Sequence, residues 1–537
     1  MKKSKLHLMS WLLLLASILL ISCKKDEPNQ KKETPRNPEV VAQEQELLKL
    51  LGEDEGIAFA SGMKVGDTIS ICMLAEGELE FKGMKPSEYP SRNPHMKEWV
   101  CYTITDPNIV VKGNVIGFII HEAPLTAIVA SQAPNLKHFY MFGCPNITDL
   151  DFSHCKGLGF IRIGNLDNLT RIALPTEPIL KEVDLWNSSK LEQLNLSKAA
   201  ELKMLYLDNI PLKELDFSHC KALVSIRTDH LDKLTSIALP TEPILKELFL
   251  WASPKLEQLN LSKATELKRL NLSRMSLKEL DLTHCNKLID LYLDESSTPI
   301  PDISHLKLEA LSLRNKNLTS LDVSKLPATL IGLSLRNNKL QGSLDLSLLK
   351  RLNVLYISDN QLSTLKLHHV PAQLYAQNNL LTSIEVAEAE NKYYEEDRYD
   401  EEQQKEWWYR NLFVDLTFNK MSEEAITQFL DKLFTNEIPN KLDGLFLVAT
   451  RENENAEFSF GENAFTPQHL EQIKAKGWIP VGYTKSTGKL SPINSAVYTA
   501  ELPTPMVSQS YPSLELMREN PLDASNESDA RAFTPHL

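Results

Sequence analysis

The sequence predicts a β-dominated solenoid of the α/β class, closed by a small β-rich cap at its N-terminal end and an α/β cap at its C-terminal end. Three observations predict it. A block of 65 residues occurs twice in tandem: Asp151-Phe152-Ser153-His154-Cys155-Lys156 returns as Asp216-Phe217-Ser218-His219-Cys220-Lys221, and Asp281-Leu282-Thr283-His284-Cys285 opens a third, diverging copy. The pattern L-x-x-L-x-L recurs every 10 or 11 residues from about Leu136 to Val386, as in Leu180-x-x-Val183-x-Leu185 and Leu202-x-x-Leu205-x-Leu207. Two such motifs make 21 or 22 residues, so the 65-residue block is three turns of a stacked structure copied as a unit.

The spaced leucines are the leucine-rich-repeat signature, and Leu333-x-Leu335-x-x-Asn338 adds the Asn that such a turn carries where the chain bends. In a solenoid of this kind each turn buries its leucines only against its neighbours, so the two ends need caps. With 537 residues and 42% hydrophobic composition the chain can bury such a core.

Before the solenoid lies a targeting segment. Lys2, Lys3 and Lys5 precede an apolar run over residues 8–20, too short for a comfortable membrane span, and Leu20-Ile21-Ser22-Cys23 follows. Residues 1–22 read as a signal peptide. The tetrapeptide resembles the lipobox of bacterial lipoproteins, which implies that Cys23 is lipidated and becomes the first residue of the mature chain; an ordinary secretory signal with a chance Cys is the alternative. Two or more acyl chains on Cys23 anchor a protein stably, whereas one chain binds only marginally. Lys25-Asp26-Glu27 resembles the short signal that sends lipoproteins of the Bacteroides group to the cell surface, which implies an outer-membrane protein exposed outside, although a charged tether looks similar. Residues 23–41, with Pro28, Pro35 and Pro38 among charges, read as a flexible tether.

The formal charge is −13, and removal of residues 1–22 takes away three Lys and no acid, leaving −16. An acidic chain with no basic run after its N-terminus does not suit nucleic acid, whose binding rests on Lys and Arg neutralising phosphate. Six cysteines follow Cys23. Cys155, Cys220 and Cys285 stand three turns apart, roughly 14 Å at the strand spacing and beyond the ~7 Å limit between bridged Cα atoms. With Cys144, on the opposite half-turn from Cys155, they are expected to be buried free thiols. A bridge between Cys72 and Cys101 stays open.

Residues 42–120 form the predicted N-terminal cap: an amphipathic helix over residues 42–52, then strand-like runs at 68–73, 99–104, 109–111 and 115–120. The solenoid spans residues 121–419. Within it Leu318-Thr319-Ser320-Leu321-Asp322-Val323-Ser324-Lys325 and Leu381-Thr382-Ser383-Ile384-Glu385-Val386 resemble the half-repeat of leucine-rich-repeat surface lipoproteins of the Bacteroides group. The resemblance covers roughly residues 105–481. It implies that this half lies on the convex side and that the other half forms a concave sheet, and it supplies the idea of a host-derived partner.

In that register the outward residue of the concave half runs Tyr140, Arg162, Asp184, Tyr206, Arg227, Phe249, Asn271, Tyr292, Ser312, Ser334, Tyr356, Tyr375, and that of the convex half runs Asp151, Ala173, Asn195, Asp216, Ala238, Asn260, Asp281, Asp302, Asp322, Asp345, Lys366, Glu385. Six of twelve are aromatic on one side and none on the other, in a chain that is 7% aromatic. Phe142, Trp186 and Trp251 lie two positions further along the concave half. Rows of exposed rings suit protein or glycan recognition, because they offer contact area at little entropic cost. The alternative is that aromatics suit strands and stack across them. The candidate ligand-binding residues are therefore Tyr140, Phe142, Trp186, Tyr206, Phe249, Trp251, Tyr292, Tyr356 and Tyr375.

Residues 387–410, acidic and rich in Tyr and Trp, interrupt the rhythm as an insertion: a solvated helix or a partner-binding loop. Residues 420–482 form the C-terminal cap. Ser422 is a helix N-cap followed by Glu423 and Glu424, residues 442–449 a strand, Thr466-Pro467 the start of a second helix ending at Gly477, and Trp478-Ile479-Pro480-Val481 the closing strand. Residues 483–537, polar and proline-rich, are expected to be disordered.

The repeated Ser-His-Cys cannot gather one metal ion across copies three turns apart, and within a copy adjacent residues of an extended segment point to opposite sides, Cys inward and His outward. No hydrolase, zinc or nucleotide motif occurs. No cofactor, metal or catalytic residue is expected. Three function classes follow: a surface lipoprotein binding a protein or glycan partner through its concave sheet, a structural envelope lipoprotein without ligand, and an enzyme in the C-terminal region, which capping already explains.

Overall fold

The computed structural model describes residues 35–87, 100–388, 412–435, 444–451, 459–487 and 489–493. The signal peptide, Cys23, nearly all of the acidic insertion and most of the C-terminal tail lie outside the described residues. Among those described, no helix is long and apolar enough to cross a membrane.

Helix α1 (Pro38–Leu51) begins four residues before the expected start. Asn37 caps it by accepting from the Glu39 amide, and Pro38 occupies the first turn, where its missing N–H costs nothing. The end of the proposed tether is thus ordered. Arg36 is gripped by Glu44 at 2.6 Å, Asp151 at 3.2 Å and Asp149 at 3.4 Å, and Asn37 donates to Thr148, which ties the chain to the first convex turn. Burial and the two neighbouring Asp carboxylates push Glu44 up, against the pull of Arg36.

The cap is the expected β-structure. Strand Thr68–Lys82 lies antiparallel to Asn108–His121 and to Val100–Ile104, and Gly56–Ala60 lies between Asn108–His121 and Ala127–Val129. Asn108–His121 also pairs in parallel with His138–Phe142, so cap and solenoid share one continuous sheet. Cys72 and Cys101 are buried thiols, not a disulfide: Cys101 faces Ser70, whose hydroxyl lies 3.1 Å from its sulfur. Cys144, Cys155, Cys220 and Cys285 are likewise buried and unbridged, while His154, His219 and His284 point to solvent, as the alternation requires. Burial pushes the Cys155 and Cys220 thiols up to about 12.

From His138–Phe142 to Phe413–Asp415 the concave strands stack in parallel, one per turn. Their leucines, among them Leu185, Leu207, Leu270, Leu311 and Leu355, are at most 2% exposed and form one core through the stack. The convex side carries shorter ladders, such as Asp149–Asp151 on Arg171–Ala173 and Gln341–Asp345 on Gln361–Leu367. Its recurring acid is structural. Asp151, Asp216, Asp281, Asp302, Asp322 and Asp345 each accept the amide of the Ser or Thr two residues on, at 2.9–3.2 Å. Asn195 and Asn260 do the same for Ser197 and Ser262.

The bend after each concave strand is handled in two ways. In the C-terminal turns, buried Asn338, Asn360, Asn379 and Asn419 form a ladder, each donating to the carbonyls of its own and the preceding turn. In the N-terminal turns the equivalent positions are Cys144, Leu166, Ser188, Ile210, Leu231, Ser253 and Met275, all buried.

In the C-terminal cap, helix α2 (Glu423–Lys432) is capped by Ser422 and helix α3 (Pro467–Ala475) by Thr466, with Pro467 in its first turn. Strands Gly444–Arg451 and Trp478–Thr484 extend the concave sheet in parallel. Order continues past the expected end at residue 482. Strand Lys489–Pro492 turns back antiparallel on Trp478–Thr484 and pairs its outer edge, which would otherwise expose unpaired amides, and Ile493 is buried.

Candidate interaction face

The pairing register tests the predicted column directly. Tyr140, Arg162, Asp184, Tyr206, Arg227, Phe249, Asn271, Tyr292, Ser312, Ser334, Tyr356 and Tyr375 stand opposite one another, strand by strand, without a slip. A second column, two residues along, holds Phe142, Gly164, Trp186, Asp208 and Asp229. The structure brings the candidates onto one sheet face, but it divides them into two environments.

In the N-terminal turns the rings and charges interleave and stay half-exposed. Arg162 lies over the Tyr140 ring at 5.4 Å and donates to Glu182 at 2.8 Å. Arg227 sits between Tyr206 at 5.7 Å and Phe249 at 4.9 Å and meets Glu247 at 3.1 Å. Arg274 covers Trp251 at 4.7 Å and meets Glu295 at 2.8 Å. Burial would raise Glu247, but Arg227, Ser225 and Arg269 hold it below the usual carboxylate range. Burial pushes the Tyr140 and Tyr206 phenols up.

Trp186 reaches across a gap to stack on Phe142, ring centroids 5.1 Å apart and planes 29° from parallel. Gly164, between them in the column, makes this contact fit: a Cβ there would meet the indole at 2.0 Å. Only glycine leaves the ring its place.

In the C-terminal turns the expectation of an exposed row fails. Tyr292 and Tyr356 are 7% and 6% exposed, packed with Ala310 and Val354 in a cluster on this face. Tyr375 stacks between Tyr356 at 4.6 Å and Phe413 at 4.9 Å. Burial drives all three phenols upward. Tyr292 and Tyr356 are packing residues, as the strand-stacking alternative holds, and leave the candidate set; Tyr375 is half-buried, like the candidates of the N-terminal turns. The candidates that remain are Tyr140, Phe142, Trp186, Tyr206, Phe249, Trp251 and Tyr375.

Of the arginines and carboxylates between the rings, only Arg162 and Arg227 stand in the predicted column; Glu182, Glu247, Arg274 and Glu295 lie outside it. Their pairing depends on contact across strands about twenty residues apart, and no local pattern marks it.

By its period, parallel register and leucine core this chain is a leucine-rich-repeat solenoid, β-dominated with few helices. No protein-family model and no curated protein matches it. Among solved structures it is similar to the functional domain of InlJ from Listeria monocytogenes, with 15% identity, a TM-score of 0.33, and 66% of this chain and 79% of that one covered. It is also similar to a leucine-rich-repeat protein of Leptospira interrogans (19% identity, TM-score 0.29, covering 57% and 90%) and to YopM from Yersinia enterocolitica (18%, 0.31, 54% and 70%). The likeness lies in the repeat fold.

Proposed function

We propose that this chain is a membrane-anchored, extracytoplasmic interaction scaffold that recognises a protein or glycan partner through the N-terminal half of its concave sheet. The observation that carries the reading is the mosaic of half-exposed rings and guanidiniums on one sheet: Phe142 on Trp186, Arg227 between Tyr206 and Phe249, Arg274 on Trp251. Planar rings supply contact area, and the charged groups beside them supply directional hydrogen bonds. The stacked turns hold these groups in place before a partner arrives, which lowers the entropic cost of binding. The lipobox-like Leu20-Ile21-Ser22-Cys23 and the following Lys25-Asp26-Glu27 support anchoring through Cys23 at the outer membrane with the solenoid outside the cell, and the family resemblance supports a host-derived partner.

The test is binding of the mature chain to arrays of host matrix proteins and of glycans, with and without Trp186→Ala, Tyr206→Ala and Phe249→Ala combined. The triple variant is expected to lose binding while still unfolding in one cooperative transition; binding that survives it sinks the concave-face assignment. Protease shaving of intact cells addresses location: cleavage is expected, and protection puts the protein in the periplasm. A structural envelope role without ligand predicts no binding on either array.

A further inference from the structure

Asp208 and Asp229 stand directly opposite each other on neighbouring strands, in the outward column that also carries Trp186. Like charges in this position repel, so a cation held between the two carboxylates is favoured. His230 follows Asp229 in the left-handed conformation, φ 49°, that recurs at this point of turn after turn. At the three preceding turns the same position is Asn165, Asn187 and Asn209, whose side-chain amides hydrogen-bond in a chain at 2.9 Å per step. At the next turn an imidazole replaces the amide. His230 Nδ1 lies 2.7 Å from Asp229 Oδ1 and 3.7 Å from Asp208 Oδ1. One ligand atom from each of the three residues lies within 4.8 Å of the others. The guanidinium of Arg274, which covers Trp251 and meets Glu295, is also close enough to favour the charged form of Asp229, as His230 is.

From this juxtaposition we infer that Asp208, Asp229 and His230 form a divalent-cation site at the edge of the concave sheet, taking an ion of the manganese or zinc kind. Two carboxylate oxygens and one imidazole nitrogen are a mixed donor set that suits those ions, whereas calcium takes six to eight oxygens. Three protein ligands leave coordination positions open, and the exposure of His230 turns them toward solvent, where water or an oxygen of a bound molecule completes the shell. Asp208 and Asp229 are 21 residues apart in sequence, a repeat period and no recognisable ligand spacing, which is why the sequence does not display the site.

The site is independent of the partner-binding reading, because cation uptake is measured with no partner present. The mature chain, stripped with chelator, is titrated calorimetrically with Mn²⁺, Zn²⁺ and Ca²⁺ in separate runs. One saturable equivalent of Mn²⁺ or Zn²⁺ is expected, at least about tenfold weaker in Asp229→Asn and in His230→Asn. The second variant installs the residue that the three preceding turns carry, so it keeps the fold, and an unchanged melting curve without metal verifies this. No saturable uptake up to about 1 mM overturns the proposal, as does uptake equal in native and variant chains or uptake of Ca²⁺ alone.

Discussion

The two halves of the solenoid share one leucine frame and differ in nearly everything that frame presents. In the N-terminal turns the bend is filled by Cys, Ser, Leu, Ile or Met, and the outward column is a half-exposed alternation of rings and ion pairs. In the C-terminal turns the bend is an asparagine ladder, and most of the outward column is packed out of solvent: Tyr292, Tyr356, Ser312 and Ser334 are buried, the two Ser fully. A repeat core needs only leucines facing inward. It leaves the bend and the outward face to be specialised separately, here as half-exposed rings and ion pairs in one half and as polar and aromatic packing in the other.

Substitutions put this contrast to the test. The largest effect is expected from Tyr356→Ala, which empties a buried site between Tyr292, Val354 and Tyr375 and should cost about 3–5 kcal/mol in urea unfolding. Tyr206→Ala, at the equivalent position of the N-terminal half, is half-exposed and should cost less than about half of that. Equal costs would erase the distinction between the halves.

Asn360→Ala comes next. Its side chain donates to Leu335 O at 3.0 Å and Ile357 O at 3.1 Å and accepts from the Leu340 amide at 3.1 Å. Stranding these buried groups should cost about 3 kcal/mol, against about 1 kcal/mol for Ser188→Ala, whose hydroxyl makes one long bond to Trp186 O at 3.4 Å. Gly164→Ala should cost about 1–3 kcal/mol and change tryptophan fluorescence, because the new methyl must displace Trp186 from Phe142.

The smallest effect concerns the border between the halves, where Lys316 holds the ladder position just before Asn338. Its ammonium donates to Ser296 O at 2.6 Å and Thr298 O at 2.9 Å, and burial pushes it down to about 8, against the pull of Asp294. The charged form is therefore disfavoured in the folded chain. Below pH 8 both folded and unfolded states carry the proton and the burial penalty is felt in full. Between about 8 and the unfolded value near 10.4 only the unfolded state keeps it, so this residue's contribution to stability rises with pH. Lys316→Asn should be more stable than the native chain by about 1 kcal/mol at pH 7, with the gap narrowing toward pH 10. A gap that is flat or widens with pH would contradict the assignment.

The solenoid, its period, the register of the whole outward column and the direction of each Ser-His-Cys are legible in the order of residues alone. All of these follow from side-chain alternation and a fixed repeat, which are local properties of a chain whose turns contact only their neighbours. The helix caps at Ser422 and Thr466 are legible too, because capping is settled within four residues. The repeated convex Asp was legible as a pattern but not as a cause, since its acceptor role toward the next Ser or Thr amide shows only in three dimensions.

Which rings are surface and which are packing depends on contacts between turns. Tyr206 and Tyr356 occupy equivalent positions of one motif, and the residues that bury one and leave the other half-exposed lie on other turns and beyond them. Tertiary contacts likewise order residues 36–41 and 489–493, through Arg36 on Asp149 and through a strand returning to an open edge. They bring Asp208, Asp229 and His230 into reach of one ion. Burial and convergence are sums over residues distant in sequence, and a repeat that fixes every side chain's direction still leaves open what each side chain meets.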